Sequence, residues 1–402
     1  MGYNEVPMAN RLHIGIFGCR NAGKSSLINA ITSQDLAIVS NIKGTTTDPV
    51  YKSMELLPIG PIVLIDTAGL DDVQSELGQN RVKKSLHVLN KTDIALLVVD
   101  VNVGLQEEDN VLLERIHKKE IPCIIVWNKC DTEHKKIPAK IPYDFPTFEV
   151  SATNHSHINE LKEFITTQRG ADNERPLISD LITTGDIIVL VMPIDESTPK
   201  GRVILPEQNV LRDCLDNNAI SIIAQPPELP QIIRDFGHKI KLVITDSQAF
   251  GSVSEMVPEG IPLTSFSIVF ARYKGVLDSA IAAAIALDHL EDGDKILISE
   301  GCTHHRQCND IGAVKFPNWI RAHAPGKKLE FEFTSGRGFP DVLKQYKLVI
   351  HCGSCMLNER EVKYRYQTAI DEKIPITNYG IAIAHLHHVL ARAIQPFGKK
   401  IK

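Results

Sequence analysis

The stretch Gly18-Cys19-Arg20-Asn21-Ala22-Gly23-Lys24-Ser25 decides the fold of the first part of the chain. It follows the apolar run Ile14-Gly15-Ile16-Phe17, within an expected strand His13–Phe17, and precedes a helical pattern over Ser26–Ala30. That strand–loop–helix setting is what G-x-x-x-x-G-K-S requires, because glycines let backbone N–H groups curl around a phosphate. Lys24 would bring a point charge to the β- and γ-phosphates, and the Ser25 hydroxyl would ligate Mg2+.

Three further elements point to guanine. Asp66-Thr67-Ala68-Gly69 follows the apolar run Ile62–Ile65; its Asp reaches Mg2+ through water, and Gly69 can present an N–H to the γ-phosphate. Asn128-Lys129-Cys130-Asp131 follows the expected strand Cys123–Asn128. A carboxylate at Asp131 accepts both N1–H and N2–H of guanine, a pairing adenine does not offer. Ser151-Ala152-Thr153 follows Thr147–Val150 and can place an N–H at guanine O6. The expected GTP-binding residues are Gly18, Asn21, Ala22, Gly23, Lys24, Ser25, Ser26, Asn128, Lys129, Asp131, Ser151 and Ala152.

These four elements resemble the G1, G3, G4 and G5 boxes of the small-GTPase superfamily. Gly44-Thr45-Thr46-Thr47-Asp48 resembles the G-T-T-R-D switch I of the TrmE/Era group, with Thr47 in place of Arg. The resemblance makes Thr46 the switch threonine on Mg2+, beside Ser25 and Asp66. It gives Lys24, Thr46, Asp66 and Gly69 as the catalytic set. Leu70 stands where Ras-like proteins carry the glutamine that orients water. In potassium-activated members an Asn at the position of Asn21 helps hold K+, which then occupies the place of an arginine finger.

Elsewhere the chain alternates apolar runs with helical patterns, so it reads as α/β throughout. With 402 residues it is long enough for two or three domains. The expectation is a P-loop GTPase domain over 1–168 followed by two further α/β domains with mainly parallel sheets, 177–262 and 263–402. A polar stretch at Thr167–Pro176 serves as linker. Expected strands in the second part include Asp186–Met192, Ala219–Ala224, Lys241–Thr245, Ser265–Phe270, Lys295–Ser299, Leu329–Phe333, Lys347–His351 and Ile374–Asn378. Helices are expected at Pro206–Leu215 and Leu277–Leu290. Ile187–Ile194 is apolar on both faces, so it is either central in a sheet or buried between subunits. No internal repeat at a fixed period is evident.

The formal net charge is -5 and the pI about 6.3, with no basic stripe of the kind nucleic-acid binders carry. No apolar run approaches the ~18 residues of a membrane span. The first residues lack the apolar core of a secretory signal, and Val6 stands where a myristoylation site wants Ser or Thr. These features lead to the expectation of a cytoplasmic protein with neither nucleic-acid nor membrane partners. Eight cysteines in such a chain do not suggest a disulfide framework; Cys123 and Cys214 sit in apolar patterns and read as core.

Cys302-Thr303-His304 follows one expected strand, and His351-Cys352-Gly353-Ser354-Cys355 follows another. Both loops would emerge at the carboxyl ends of parallel strands, where α/β sheets place ligand sites. Zn2+ would accept four of these five donors; a 4Fe–4S cluster takes one ligand per iron and tolerates a non-thiolate fourth. Coordination chemistry leaves both open. Cys308 is an alternative thiolate, and His305 reads as a surface residue.

The GTPase motifs, a middle domain and the C-x-H, 46 residues, H-C-x-x-C spacing together resemble the HydF family of FeFe-hydrogenase maturation GTPases, over essentially the whole chain. That resemblance implies a 4Fe–4S cluster on Cys302, Cys352 and Cys355, with His304 or His351 as a possible fourth ligand. It further implies a scaffold that delivers the di-iron subcluster to the immature FeFe-hydrogenase, working with the radical-enzyme maturases of that pathway. The middle domain would make a homodimer or higher assembly. The rival readings are a TrmE/Era-type GTPase of tRNA or ribosome maturation with a structural zinc domain, and a redox switch in which the cluster gates hydrolysis.

Overall fold

A computed structural model describes residues 6–32, 49–71, 76–133, 135–168, 175–194, 203–301, 310–336 and 338–401, with 76–81 as backbone only. Switch I (44–48, with Thr46) and the loop carrying Cys302, Thr303, His304, His305 and Cys308 lie outside the described residues. The chain forms two compact units, Met1–Asn173 and Glu174–Lys402.

The first unit holds β1 (Leu12–Phe17), β2 (Val50–Leu56), β3 (Gly60–Asp66), β4 (Ile94–Asp100), β5 (Cys123–Asn128) and β6 (Thr147–Glu149). They form one sheet in the order β2-β3-β1-β4-β5-β6, parallel except where β2 runs antiparallel to β3. Its helices are α1 (Lys24–Thr32), α2 (Glu76–Val88), α3 (Glu107–Lys118) and α4 (Ile158–Thr167). Alternate strand residues point to opposite faces, and here both faces are apolar. Ile14, Ile16, Leu96, Val98, Ile124 and Val126 meet Leu27, Ile28 and Ile31 of α1 and Leu161 and Ile165 of α4. Phe17, Leu97, Val99, Ile125 and Trp127 meet Leu112, Leu113 and Ile116 of α3. The loops after β1, β3, β5 and β6 therefore gather at one edge, where the strands end.

The second unit holds two all-parallel sheets. The first is built from β7 (Ile187–Val191), β8 (Ile220–Ala224), β9 (Ile240–Thr245) and β10 (Leu263–Ser265), in the order β10-β9-β7-β8. The second is built from β11 (Lys295–Glu300), β12 (Glu330–Ser335), β13 (Leu348–His351) and β14 (Ile376–Asn378), in the order β12-β11-β13-β14. Helices α5 (Leu205–Asp216), α6 (Leu229–Phe236), α7 (Phe250–Met256), α8 (Phe266–Tyr273) and α9 (Leu277–Ala284) accompany the first sheet. Those that accompany the second are α10 (Phe316–His323), α11 (Glu359–Asp371), α12 (Tyr379–Leu386) and α13 (Leu390–Ile394). A single apolar cluster runs from Val189 and Val243 of the first sheet to Ile298 and Val349 of the second.

Three sequence expectations change. Ser265–Phe270 is not a strand: β10 ends at Ser265, whose hydroxyl accepts from the Ile268 N–H and caps α8. A short apolar run cannot be told from a buried helix by period alone, and a serine cap contributes about 1 kcal/mol toward the helix. The Leu277–Leu290 helix is α only to Ala284 and continues as a 3-10 turn over Ile285–His289. The third change is an internal repeat. Counted from its own first strand, each sheet has the order second, first, third, fourth. Ile261, Pro262, Thr264, Ile268, Ala271, Val276 and Leu277 recur at a constant offset as Ile374, Pro375, Thr377, Ile381, Ala384, Val389 and Leu390 (374 − 261 = 113 residues).

The repeats interlock. Helix α9 of the first repeat packs on β14, where the Thr377 hydroxyl donates to the Ala280 carbonyl at 2.9 Å. Helix α13 of the second packs on β10, and its Arg392 donates to the carbonyls of Ser254, Val257, Pro258 and Ile261. Strand β7 is buried throughout between β8 and β9, so its apolar faces are satisfied within the chain. Among the described residues no helix is long and apolar enough to cross a membrane.

Candidate functional site

The phosphate loop is built on backbone that only its own residues tolerate. Gly18 has φ 139°, and a Cβ there would stand 2.2 Å from the Val98 carbonyl oxygen; Gly23 has φ 94° and its Cβ would strike the Asn128 amide. Asn21, exposed at the loop tip, takes φ 62°, a left-handed conformation that Asn tolerates better than most side chains. The Lys24 ammonium is buried and donates to the carbonyls of Gly18 and Cys19, both at 2.8 Å. Burial lowers its pKa, while Asp66 opposes that shift. The amine is therefore held inside the loop where a phosphate would enter.

Ser25 Oγ donates to Asp66 Oδ2 at 2.8 Å. The other carboxylate oxygen, Oδ1, is buried with no hydrogen-bond partner among the described residues. Burial raises the Asp66 pKa, against the hydrogen bond from Ser25 and the charge of Lys24. A hydroxyl touching a carboxylate that has a spare buried oxygen is a hard-oxygen donor set, which fits Mg2+. Gly69 is close to the loop, since a Cβ there would lie 2.2 Å from Arg20 Cγ. The Arg20 N–H donates to Asp71 Oδ1 at 2.7 Å, and its Nε donates to Oδ2, tying the two loops together. Leu70 is buried in the core, so the usual glutamine position offers no polar group.

Asn128 joins three motifs. Its Nδ2 donates to the Ala22 carbonyl at 2.9 Å, and its Oδ1 accepts the Ala152 N–H at 3.0 Å. Lys129, at φ 66°, donates to Asp100 Oδ2 at 2.7 Å. Ser151 is buried and accepts the Asn154 N–H. Asp131 is exposed at the same edge. The structure thus brings together Gly18, Asn21, Ala22, Gly23, Lys24, Ser25, Ser26, Asp66, Gly69, Asn128, Lys129, Asp131, Ser151 and Ala152 around one loop edge. Thr46 lies outside the described residues.

In the second unit, Cys352 and Cys355 follow β13. Cys352 Sγ accepts N–H groups from Gly301 at 3.0 Å and Ser354 at 3.4 Å. Gly301 directly precedes Cys302, so the end of the β11 segment reaches the cysteine pair. Burial, with Cys355 beside it, pushes the Cys352 thiol up to about 11. The Tyr366 hydroxyl is buried without a partner among the described residues, and its pKa is raised by burial and by charge on Cys352. Backbone donors on sulfur and an unspent hydroxyl fit an anionic thiolate that carries metal.

His351 is fully buried and its ring is neutral, because burial and the Arg365 charge push its pKa down to about 3. Arg365 Nη1 donates to Nε2 at 3.0 Å, which leaves the proton on Nδ1, facing the Cys352 carbonyl and Ser354 Oγ at 3.0 Å each. Both ring nitrogens are engaged inside the protein. Arg365 itself, 1% exposed, also donates to Glu361 and the Gly336 carbonyl. Sequence reasoning missed Arg365 because the charged run Glu359–Arg365 reads as a solvated helix face; Glu361 and Arg365, one turn apart, were the available signal.

Comparison with known proteins fits this geometry. Residues 13–129 match the family model described as 50S ribosome-binding GTPase, and the first unit is a GTPase domain. Residues 177–275 match the hydrogen maturase F dimerization domain and 278–396 the hydrogen maturase F tetramerization domain. Among curated relatives, the tRNA modification GTPase MnmE of Protochlamydia amoebophila is 36% identical over 41% of this chain and 35% of its own length. The same enzyme of Helicobacter pylori is 40% identical over 35% of this chain and 32% of its own. The chain thus spans about a third of the curated relatives it matches. Era of Aquifex aeolicus has a TM-score of 0.36 at 19% identity, covering 57% of this chain and 99% of that one, a likeness too distant to bear on function.

Proposed function

The chain belongs to the hydrogen maturase F family, and on that premise we propose that it is a GTP-hydrolysing scaffold that carries a 4Fe–4S cluster and delivers the di-iron subcluster to immature FeFe-hydrogenase. The carrying observation is the N–H of Gly301 on Cys352 Sγ, which supports a site shared by the loops of Cys302, Cys352 and Cys355. Those three residues would hold the cluster, which when bound supplies an iron with one replaceable ligand. His304 or a non-protein group would take the fourth position, since His351 would have to surrender its bond from Arg365. The working chain divides into 1–168 for GTP, 177–275 for subunit contact and 278–402 for the cluster, in the cytoplasm; the boundary expected at 262 moves because β10 (Leu263–Ser265) belongs to the first sheet. The radical-enzyme maturases of the pathway are its further partners.

Anaerobically purified protein should absorb broadly near about 400 nm, as iron–sulfur proteins do and zinc proteins do not. Incubated with the immature hydrogenase and the pathway's other maturases, it should restore hydrogen evolution. A colourless, zinc-loaded protein would instead favour the tRNA or ribosome reading.

Mg2+ would be held by Ser25, Asp66 and Thr46, neutralising phosphate charge. Lys24 positions the phosphates, and Asp131 selects the base. Because Leu70 is buried and offers no group to orient water, we expect hydrolysis to depend on K+ held at Asn21. The rate in K+ should exceed that in Na+ by roughly tenfold or more at matched ionic strength, against the 10³–10⁵ an arginine finger supplies. Equal rates in the two salts would end this reading.

The family matches support homo-oligomerisation. Strand β7 does not carry the contact, but β8 can: it is an outer strand whose Ile220 and Ile223 are 52% and 54% exposed. Exposed apolar edges invite pairing with another chain. Ile220→Lys with Ile223→Lys should shift the light-scattering mass of the full chain toward the next smaller assembly. An unchanged mass removes β8 from the interface.

A further inference from the structure

A third group of ligating side chains stands in the second unit, apart from both sites above. Asp288 lies in the 3-10 turn after α9, His323 ends α10, and His385 is in the last turn of α12. Nε2 of His323 is 2.8 Å from Asp288 Oδ1; Nε2 of His385 is 2.9 Å from Oδ1 and 3.0 Å from Oδ2. The three ligand atoms lie within 4.8 Å of one another. Side-chain exposures of 43%, 20% and 14% leave the group open to water on one side.

Asp288 and His323 each stand seven residues before the strand that follows, β11 from Lys295 and β12 from Glu330, so the group sits toward the edge where those strands begin. Cys352 and Cys355 follow the end of β13, at the opposite edge of the same sheet. The C-terminal ends of helical segments converge on the group, and the negative ends of their dipoles favour a cation.

We propose that Asp288, His323 and His385 form a site for a divalent transition-metal ion of the zinc type, with its remaining coordination position open to water. Two imidazoles and one carboxylate are the donor set that Zn2+ and its neighbours take, whereas Mg2+ and Ca2+ prefer oxygen alone. Bonds of about 2.0–2.1 Å place tetrahedral ligands roughly 3.3 Å apart. Asp288 Oδ1 lies 2.8 and 2.9 Å from the two imidazole nitrogens, so small movements of these partly exposed side chains reach that spacing. The internal repeat offers a contrast. Arg272, the counterpart of His385 by the same offset (272 + 113 = 385), pairs with Asp180 at 2.8 Å. A guanidinium has no lone pair to give a metal, so the first repeat keeps a plain ion pair where the second has ligands.

Co2+ titrated anaerobically into the full chain tests the assignment by visible absorption and equilibrium dialysis. One equivalent should bind with the weak bands of nitrogen and oxygen ligation; any Co2+ on cysteine declares itself by an intense thiolate charge-transfer band. His323→Ala with His385→Ala should lose that equivalent while circular dichroism remains unchanged. Asp288→Asn can still hydrogen-bond to an imidazole but removes the anion, and should weaken binding by roughly tenfold or more; it decides the matter if the histidine variant unfolds. The proposal is overturned if Co2+ binds only with the thiolate band, or if these variants bind it as tightly as the parent.

Discussion

Asp131→Asn is expected to lower GTP affinity by roughly 30- to 1000-fold and to turn the preference toward xanthosine triphosphate. The carboxylate accepts two N–H groups of guanine, and an amide offers a donor where one acceptor was needed. Losing a charge-assisted pair and leaving a base donor unmatched costs about 2–4 kcal/mol, which is that range of affinity. Xanthine carries an oxygen in place of the 2-amino group, and the new amide can donate to it. The substitution should leave the fold intact, because Asp131 is exposed, whereas Asn128 beside it holds Ala22 and Ala152. Competition binding with the two nucleotides measures the effect. If parent protein hydrolyses ATP and GTP equally, or if the variant keeps its guanine preference, Asp131 does not read the base.

What was legible in the sequence follows from where chemistry constrains the residue. Gly18 and Gly23 must be glycine because Val98 and Asn128 crowd them, so the phosphate loop shows in the residue string itself. The inner strands of the first unit, β1, β3, β4 and β5, were legible because both faces of each are apolar, whereas the outer β2, with Lys52, Ser53 and Glu55, gave no such signal. Ser265 was misread because a cap and a strand end look alike in one dimension. The repeat escaped notice because its matching segments lie 113 residues apart, well beyond the 20–50-residue periods of common repeats. Lengths also differ before the matching segments, so earlier strands fall out of register. Strand β7 suggested a subunit interface from its composition, yet the other strands and helices of its own unit cover it. Arg365 was hidden for the converse reason, since a charged residue buried by tertiary packing looks like any other on a polar helix.

The cluster ligands carry the second large effect. Single Ser substitutions at Cys302, Cys352 and Cys355 should each abolish most of the bound iron, while Cys308→Ser should leave iron content nearly unchanged. Ligand softness is the reason: iron–sulfur units favour anionic thiolates, and a serine hydroxyl stays protonated at neutral pH and is harder. Cys352 should be the most sensitive, since Gly301 and Ser354 already direct N–H groups at its sulfur, bonds that strengthen when it becomes a thiolate. His304→Ala should keep the cluster and change its paramagnetic resonance spectrum if that residue fills the fourth position. His351→Ala should also keep the cluster, but it deprives Arg365 of an acceptor in the core. Arg365 keeps Glu361 and the Gly336 carbonyl, so the cost is that of one unmatched buried donor, about 1–3 kcal/mol, and the melting temperature should fall even where iron is retained. Iron analysis and a thermal melt on the same samples separate a ligand from a support. Loss of iron in Cys308→Ser with retention in Cys302→Ser would overturn the thiolate set, and a His351→Ala protein that melts like the parent would show that Arg365 does not depend on the ring.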